Sequence, residues 1–318
     1  RSLECELCDG RVSYAPEGSS SASDCLNLLD ELFVTTDEKI IAGFSQESNS
    51  FSVIADDDGF SSSPSGIVFL TPYVLLVINK SENEIVAYDI SGKFLGIVGE
   101  GLEPVAIARV SKYFVAVAFD GTAAVVLYDV SEYIDSFSFV EKSSIASNIR
   151  LSIPQSTYGN PIAIAPGAND NELLLTTDTK FVYRLCATYL CDKSAVEGKI
   201  YKVVSPFVLS GIASIRSLNS FLVIASKSVF QCSLRATPTS SPPDIASACT
   251  LFTDFVVEPM AILVNDEKKL VYISDKSTSS IHIFDYNGIA PLRSIAGGNN
   301  LENLNRGLAI RPGLFIGL

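Results

Sequence analysis

The chain has 318 residues, 47% of them hydrophobic and 19% charged, and its 23 Lys and Arg against 36 Asp and Glu leave a net charge of −13. That balance is globular and excludes a disordered chain, which would carry fewer apolar residues and more charge. It also argues against a nucleic-acid partner, whose phosphates need clustered Lys and Arg.

Residues 1–35 hold Cys5, Cys8, Cys25 and the run Ser19-Ser20-Ser21, and match nothing later in the chain. They read as an N-terminal extension clipped by disulfides, ahead of a main domain over 36–318. The chain starts at Arg1 with no basic-then-apolar leader, as expected of a mature secreted protein or an excised fragment. Apolar segments at 39–45 and 50–55 read as strands. Asp56-Asp57-Asp58-Gly59 opens like a calcium loop but lacks the spaced ligands and terminal Glu of an EF-hand, so it reads as a solvated turn. The longest apolar stretch, 66–78, is about 13 residues and is broken at Thr71-Pro72. A spanning helix needs about 20, so no transmembrane segment is expected. Asn79-Lys80-Ser81 is an N-glycosylation sequon, and the Ser/Thr/Pro-rich stretches at 61–64 and 237–243 read as exposed loops open to O-glycosylation.

Four more cysteines lie further on. Cys186 and Cys191 flank a short stretch with the look of a hairpin tip, and Cys232 and Cys249 bound a Ser/Pro-rich loop. Both spacings suit local disulfides between adjacent strands, which implies an oxidising, extracellular setting. Cys5 and Cys8 form a C-x-x-C with no second pair at zinc-finger spacing, and His282 is the only histidine, so no Cys/His zinc site is expected. Seven cysteines leave one over. One of Cys5, Cys8 and Cys25 is the candidate for a bond to another chain.

Helical periodicity is nearly absent. Short runs rich in Val, Ile, Phe and Tyr recur between Gly, Asn, Asp, Ser and Pro, the pattern of an all-β chain. A longer period lies above it. The segments 73–92, 113–132 and 269–288 each hold a strand, a polar turn, and a strand ending in an aromatic-Asp pair: Tyr88-Asp89, Tyr128-Asp129 and Phe284-Asp285. Weaker copies lie at 172–186 and 220–234. Each copy follows a short strand with a shared start, at Ser65-Gly66, Glu103-Pro104, Asn160-Pro161, Ser210-Gly211 and Glu258-Pro259; a sixth start is Arg306-Gly307. Pro or Gly is tolerated where no ladder partner is needed. The small residues just after them, Ala106, Ala163, Ala213, Ala261 and Ala309, let strands crowd around an axis. Spacings of about 38 to 57 residues fit four-stranded blades. The expected fold is a six-bladed β-propeller, with seven blades as the alternative. Its last blade would combine 308–311 and 314–318 with 39–45 and 50–55, hiding edge strands that invite pairing.

This repeat resembles that of NHL-type and related six-bladed propellers: P-x-x-I-x-V, a strand ending in Asp, then an apolar strand ending in aromatic-Asp-x-x-Gly. Residues 258–297 carry it best and 73–129 next, whereas 135–255 depart from it. The resemblance implies that the strand starts Ser65, Glu103, Asn160, Ser210, Glu258 and Arg306 gather at one mouth of the central channel. Related lactonases and esterases bind a divalent ion there, which makes Glu103, Asn160 and Glu258 candidate calcium ligands. Arg306 departs from that scheme, since a guanidinium competes with the ion for a carboxylate. With one histidine, neither a three-His metal site nor an arguable Ser-His-Asp triad remains.

The expected function is therefore a secreted, non-catalytic propeller without cofactor, binding other extracellular proteins or glycans in a coat, matrix or fibre. The alternative is a lactonase- or esterase-like hydrolase with a channel calcium ion. A sugar-binding propeller ranks lower, because the chain has no Trp to stack on sugar rings.

Overall fold

The computed structural model describes residues 13–14, 26–27, 30–36, 41–45, 50–55, 64–100, 103–120, 124–131, 149–152, 159–170, 172–186, 198–204, 208–296 and 304–311. Within them lie six four-stranded antiparallel sheets. Blade 1 is Ile67–Thr71, Val74–Asn79, Glu84–Asp89 and Phe94–Glu100. Blade 2 is Pro104–Arg109, Phe114–Phe119, Ala124–Asp129 and Ile149–Ser152, and blade 3 is Pro161–Pro166, Glu172–Thr177, Phe181–Cys186 and Gly198–Lys202. Blade 4 is Leu209–Ile215, Ser220–Ala225, Ser228–Ser233 and Thr250–Thr253, and blade 5 is Pro259–Asn265, Leu270–Asp275, Ser280–Asp285 and Arg293–Ala296. The first strand of each blade lies innermost and touches the first strands of both neighbours, which closes a ring of six blades, not seven.

The closing sheet, blade 6, pairs Leu304–Ile310 with Asp30–Thr36, then Ile41–Ser45, then Ser50–Ala55. The C-terminal region thus gives one strand and the N-terminal region three, where the sequence pattern predicts two and two. Asp30–Thr36, assigned from sequence largely to the extension over 1–35, is a strand of the propeller; the expected strand 314–318 lies outside the described residues. Asp30–Thr36 hides itself because it does not alternate. Leu32, Phe33 and Val34 are all buried, Phe33 toward blade 1 and Leu32 and Val34 toward blade 5. Before it, Ser13–Tyr14 pairs with Leu26–Asn27.

The same two-sided packing explains the continuous apolar runs. Ser220–Ala225 is buried at all six positions, because each face of a middle strand meets another blade. Six buried clusters result, one at each junction between consecutive blades. The aromatic-Asp-x-x-Gly ending also has a packing cause. Asp89 Oδ1 accepts the N–H groups of Ser91 and Lys93 at 2.8 and 3.0 Å, and Asp285 Oδ1 that of Asn287 at 2.9 Å, so each aspartate fixes the turn to the outer strand. The closing glycines, Gly92 and Gly288, have φ of +88° and +71°, and a Cβ there would strike the outer strand of the preceding blade at Ile54 and Phe252. Among the described residues no helix is long and apolar enough to cross a membrane.

Candidate functional site

The inner strands enclose a central channel with a cavity of about 330 Å³. In blades 2 to 5 the pairing register slips near the start of the inner strand, after Pro104, Pro161, Leu209 and Pro259. Such bulges re-aim side chains. Here Val105, Ile162, Ser210 and Met260 sit at the slips and line the wall. The rest of the wall is largely aliphatic or small, including Val68, Ile107, Ala163, Ile262, Val264 and Ile310.

In blades 2 to 5 the start of the inner strand is anchored by the end of the second strand and the turn after it. Asp275, which ends the second strand of blade 5 and is 1% exposed, accepts the N–H groups of Val257 and Glu258, both at 3.1 Å. In blade 3 Asp178 accepts the N–H of Asn160 at 2.9 Å, and in blade 4 Ser226 Oγ accepts that of Val208 at 3.0 Å. Glu103 donates its N–H to Asn83 Oδ1 of blade 1 at 2.9 Å. Carbonyls return the pairing: Asp120, Asp178 and Lys276 donate their N–H groups to Glu103, Asn160 and Glu258 at 2.9, 3.0 and 3.0 Å. Burial pushes the Asp275 carboxyl up, but the N–H of Val257, the Ser277 hydroxyl, the N–H of Glu258 and Thr278 outweigh it and hold the carboxyl below its usual range.

The described strand starts do not all face the channel wall. Ser65 and Ser210 line the channel, but Glu103, Asn160 and Glu258 do not. Both glutamates are exposed, and they are placed by their backbone groups. Arg306 lies in the innermost strand of blade 6; its side chain is outside the described set. Among the described residues no group of three or more His, Cys, Asp or Glu is placed to hold a metal ion. His282 is a core residue: Nδ1 lies 2.8 Å from Ser294 Oγ, Nε2 lies 3.6 Å from Asp275, and the ring meets Phe255 edge-on.

Sequence reasoning misses the other mouth. Arg109 ends the inner strand of blade 2, and Arg216 and Arg311 directly follow those of blades 4 and 6. Arg109 donates to the carbonyls of Ser111, Phe69 and Lys112 at 3.2, 3.4 and 3.1 Å. Arg216 donates to Gly167 O and Val110 O and pairs with Asp170 at 2.7 Å. Arg311 donates to Pro72 O at 2.8 Å. Guanidinium groups from alternate blades thus stitch neighbouring blades together at this end. The signal in the sequence is an Arg five or six residues past three of the six starts, Glu103, Ser210 and Arg306, and only the ring topology gives it meaning. Nearby, Asp266 accepts from Ser217 and Tyr286 across blades 4 and 5. Burial pushes its carboxyl up, and these donors hold it below its usual range.

Cys232 and Cys249 form a disulfide, as their spacing predicts. Cys186 is also disulfide-bonded; Cys191, Cys5, Cys8 and Cys25 lie outside the described residues. Asn79 of the sequon is 2% exposed, and its Oδ1 accepts from Ser81 Oγ at 3.2 Å.

No protein-family model and no curated protein matches the chain. Solved structures do. A chain from the crystal structure of a nidogen/laminin complex is similar over 89% of this chain and 98% of its own, at 12% identity and a TM-score of 0.65. A functionally unknown protein from Desulfotomaculum acetoxidans DSM 771 is similar over 88% and 98%, at 11% identity and a TM-score of 0.55. At these identities the likeness is one of fold.

Proposed function

We propose that the chain is a secreted, non-catalytic propeller of NHL-like type that binds another protein in an extracellular assembly such as a coat, matrix or fibre. The observation that carries this reading is an apolar surface on the loops entering blades 4 and 5. Val204 and Val208 in one connection, and Phe255 and Val257 in the next, are each about half exposed, with Val208 at 57% and Phe255 at 51%. Exposed apolar residues in neighbouring loops, rimmed by polar groups, are a feature of protein contact sites. Asp254 and Glu258 flank Phe255 and Val257, and with the net charge of −13 they favour a partner carrying basic groups around an apolar centre. The Cys232–Cys249 bond fits an oxidising compartment. A fold shared with a chain from a nidogen/laminin complex is compatible with protein binding, though fold alone does not assign function.

The test is expression of the full-length protein in secreting cells, followed by crosslinking and mass spectrometry. The expected result is recovery from the medium with Cys232 and Cys249 oxidised, and crosslinks to a second protein near 204–208 and 254–258. The double variant Val208→Ser, Phe255→Ser should remove those crosslinks without changing the melt. Retention inside the cell with both thiols reduced, or crosslinks that the variant leaves intact, would overturn the proposal.

A further inference from the structure

The channel combines three features that the reading above does not use. Its wall is mainly aliphatic, its volume is about 330 Å³, and one mouth carries guanidinium groups in a protein of net charge −13. Small-molecule sites have volumes of about 300–1,000 Å³ and are mostly apolar, with a few placed polar groups. Among the described wall residues Arg109 is the only charged one. A guanidinium has five N–H donors. Those of Arg109 reach three backbone carbonyls, and no carboxylate among the described residues pairs with it. By contrast, Asp170 neutralises Arg216, while Asp266 is taken up by Ser217 and Tyr286. Lys112, beside Arg109, donates to Tyr113 Oη at 2.9 Å. The inner strands of blades 2 and 3 are six residues long, about 20 Å at ~3.3 Å per residue, room for a single extended alkyl chain.

We infer that the channel binds a medium-chain alkyl carboxylate, its tail along the aliphatic wall and its carboxylate on Arg109. Carbonyl oxygens orient the guanidinium but cannot cancel its charge, so an anion is the partner it lacks. Burial lowers the Arg109 pKa, as expected for a cation drawn from water with no counter-charge. Among the described residues the opposite mouth carries Ser65 and Ser210.

The test is isothermal titration of the intact protein with hexanoate, octanoate and decanoate, each below its micelle concentration. Decanol and decyltrimethylammonium are the neutral and cationic controls. Decanoate is expected to bind, with affinity rising about fourfold per methylene along the series, and at least about tenfold more tightly than decanol. Arg109→Gln should abolish that preference while leaving decanol binding in place, a change that a purely structural role for Arg109 does not produce. Ala163→Leu, which narrows the wall, should weaken all three chain probes. No binding of decanoate, equal binding of decanoate and decyltrimethylammonium, or an Arg109→Gln variant that keeps the preference would each overturn the inference. If Arg109→Gln does not fold, the wild-type preference decides.

Discussion

Asp275 accepts the backbone N–H of Glu258 at 3.1 Å, and the next residue, Lys276, returns its own N–H to Glu258 O at 3.0 Å. A strand-ending aspartate thus pins the start of its own blade's inner strand. The glutamate that sequence reasoning offered to calcium is held by its backbone for shape, with its side chain in solvent.

Asp275→Ala should therefore leave the N–H groups of Val257 and Glu258 without their acceptor. The expected cost is about 2–4 kcal/mol, read by urea unfolding. Because the folded carboxyl sits below its usual value, its stabilising contribution is fully present above about pH 4 and is lost as pH falls through the folded value. The wild-type melting temperature should drop over that range. Asp275→Asn, which has no carboxyl to titrate, should show a shallower drop.

Gly288→Ala tests the aromatic-Asp-x-x-Gly ending. The residue has φ of +71°, and its missing Cβ faces Phe252 of the preceding blade. A left-handed alanine costs about 1–2 kcal/mol, and crowding against Phe252 adds to it. A loss of at least ~2 kcal/mol is expected in chemical denaturation. An unchanged midpoint would mean that the turn relaxes and that the glycine is not needed for blade contact.

Opening the Cys232–Cys249 bond should be costly because the bond closes a loop with a sequence separation of 17. Such a loop corresponds to about 3 kcal/mol of restricted unfolded-state freedom. Cys232→Ser should lower the denaturation midpoint to match, and adding a reducing agent to this variant should cause a smaller further loss than in the wild type.

Much of this architecture is legible in the sequence, and the illegible parts share a physical cause. The strand starts stand out because Pro and Gly are tolerated only where a ladder begins or bulges. The aromatic-Asp endings stand out because one turn chemistry is reused. Asp30–Thr36 does not, because a strand buried on both faces has no alternation, and its neighbour Leu304–Ile310 is far away in the chain. The channel site is harder still. Arg109, Arg216 and Arg311 share a mouth only because the ring brings alternate blades to one end. Glu103, Asn160 and Glu258 are candidate ligands through the resemblance to propellers with a channel ion, but the bulges that follow them turn Val105, Ile162 and Met260 onto the wall.

Calcium provides a check on the hydrolase alternative. An ion bound only by the folded state would stabilise it by about 2.7 kcal/mol at a hundredfold excess over Kd. With Glu103 and Glu258 exposed and off the wall, we expect millimolar calcium and excess EDTA to give the same melting temperature. We also expect Glu103→Gln to leave it unchanged. A calcium-dependent rise that Glu103→Gln abolishes would restore the ion site.

Removing residues 1–60 tests the closure. It deletes Asp30–Thr36, Ile41–Ser45 and Ser50–Ala55, three of the four strands of blade 6. What remains, Leu304–Ile310, loses its only partner within the sheet. Two junctions open at once, baring Tyr272 and Ile281 of blade 5 on one side and Ile67 and Phe69 of blade 1 on the other. With blade 6 gone no neighbouring blade covers these surfaces, so the truncated chain should lose its cooperative melt and aggregate. A gentler version keeps the chain intact. Phe33 is buried with its ring 5.1 Å from that of Phe69, and Phe33→Ala should cost about 3–5 kcal/mol. If the truncated chain melts like the parent and Phe33→Ala is silent, the N-terminal strands do not close the ring.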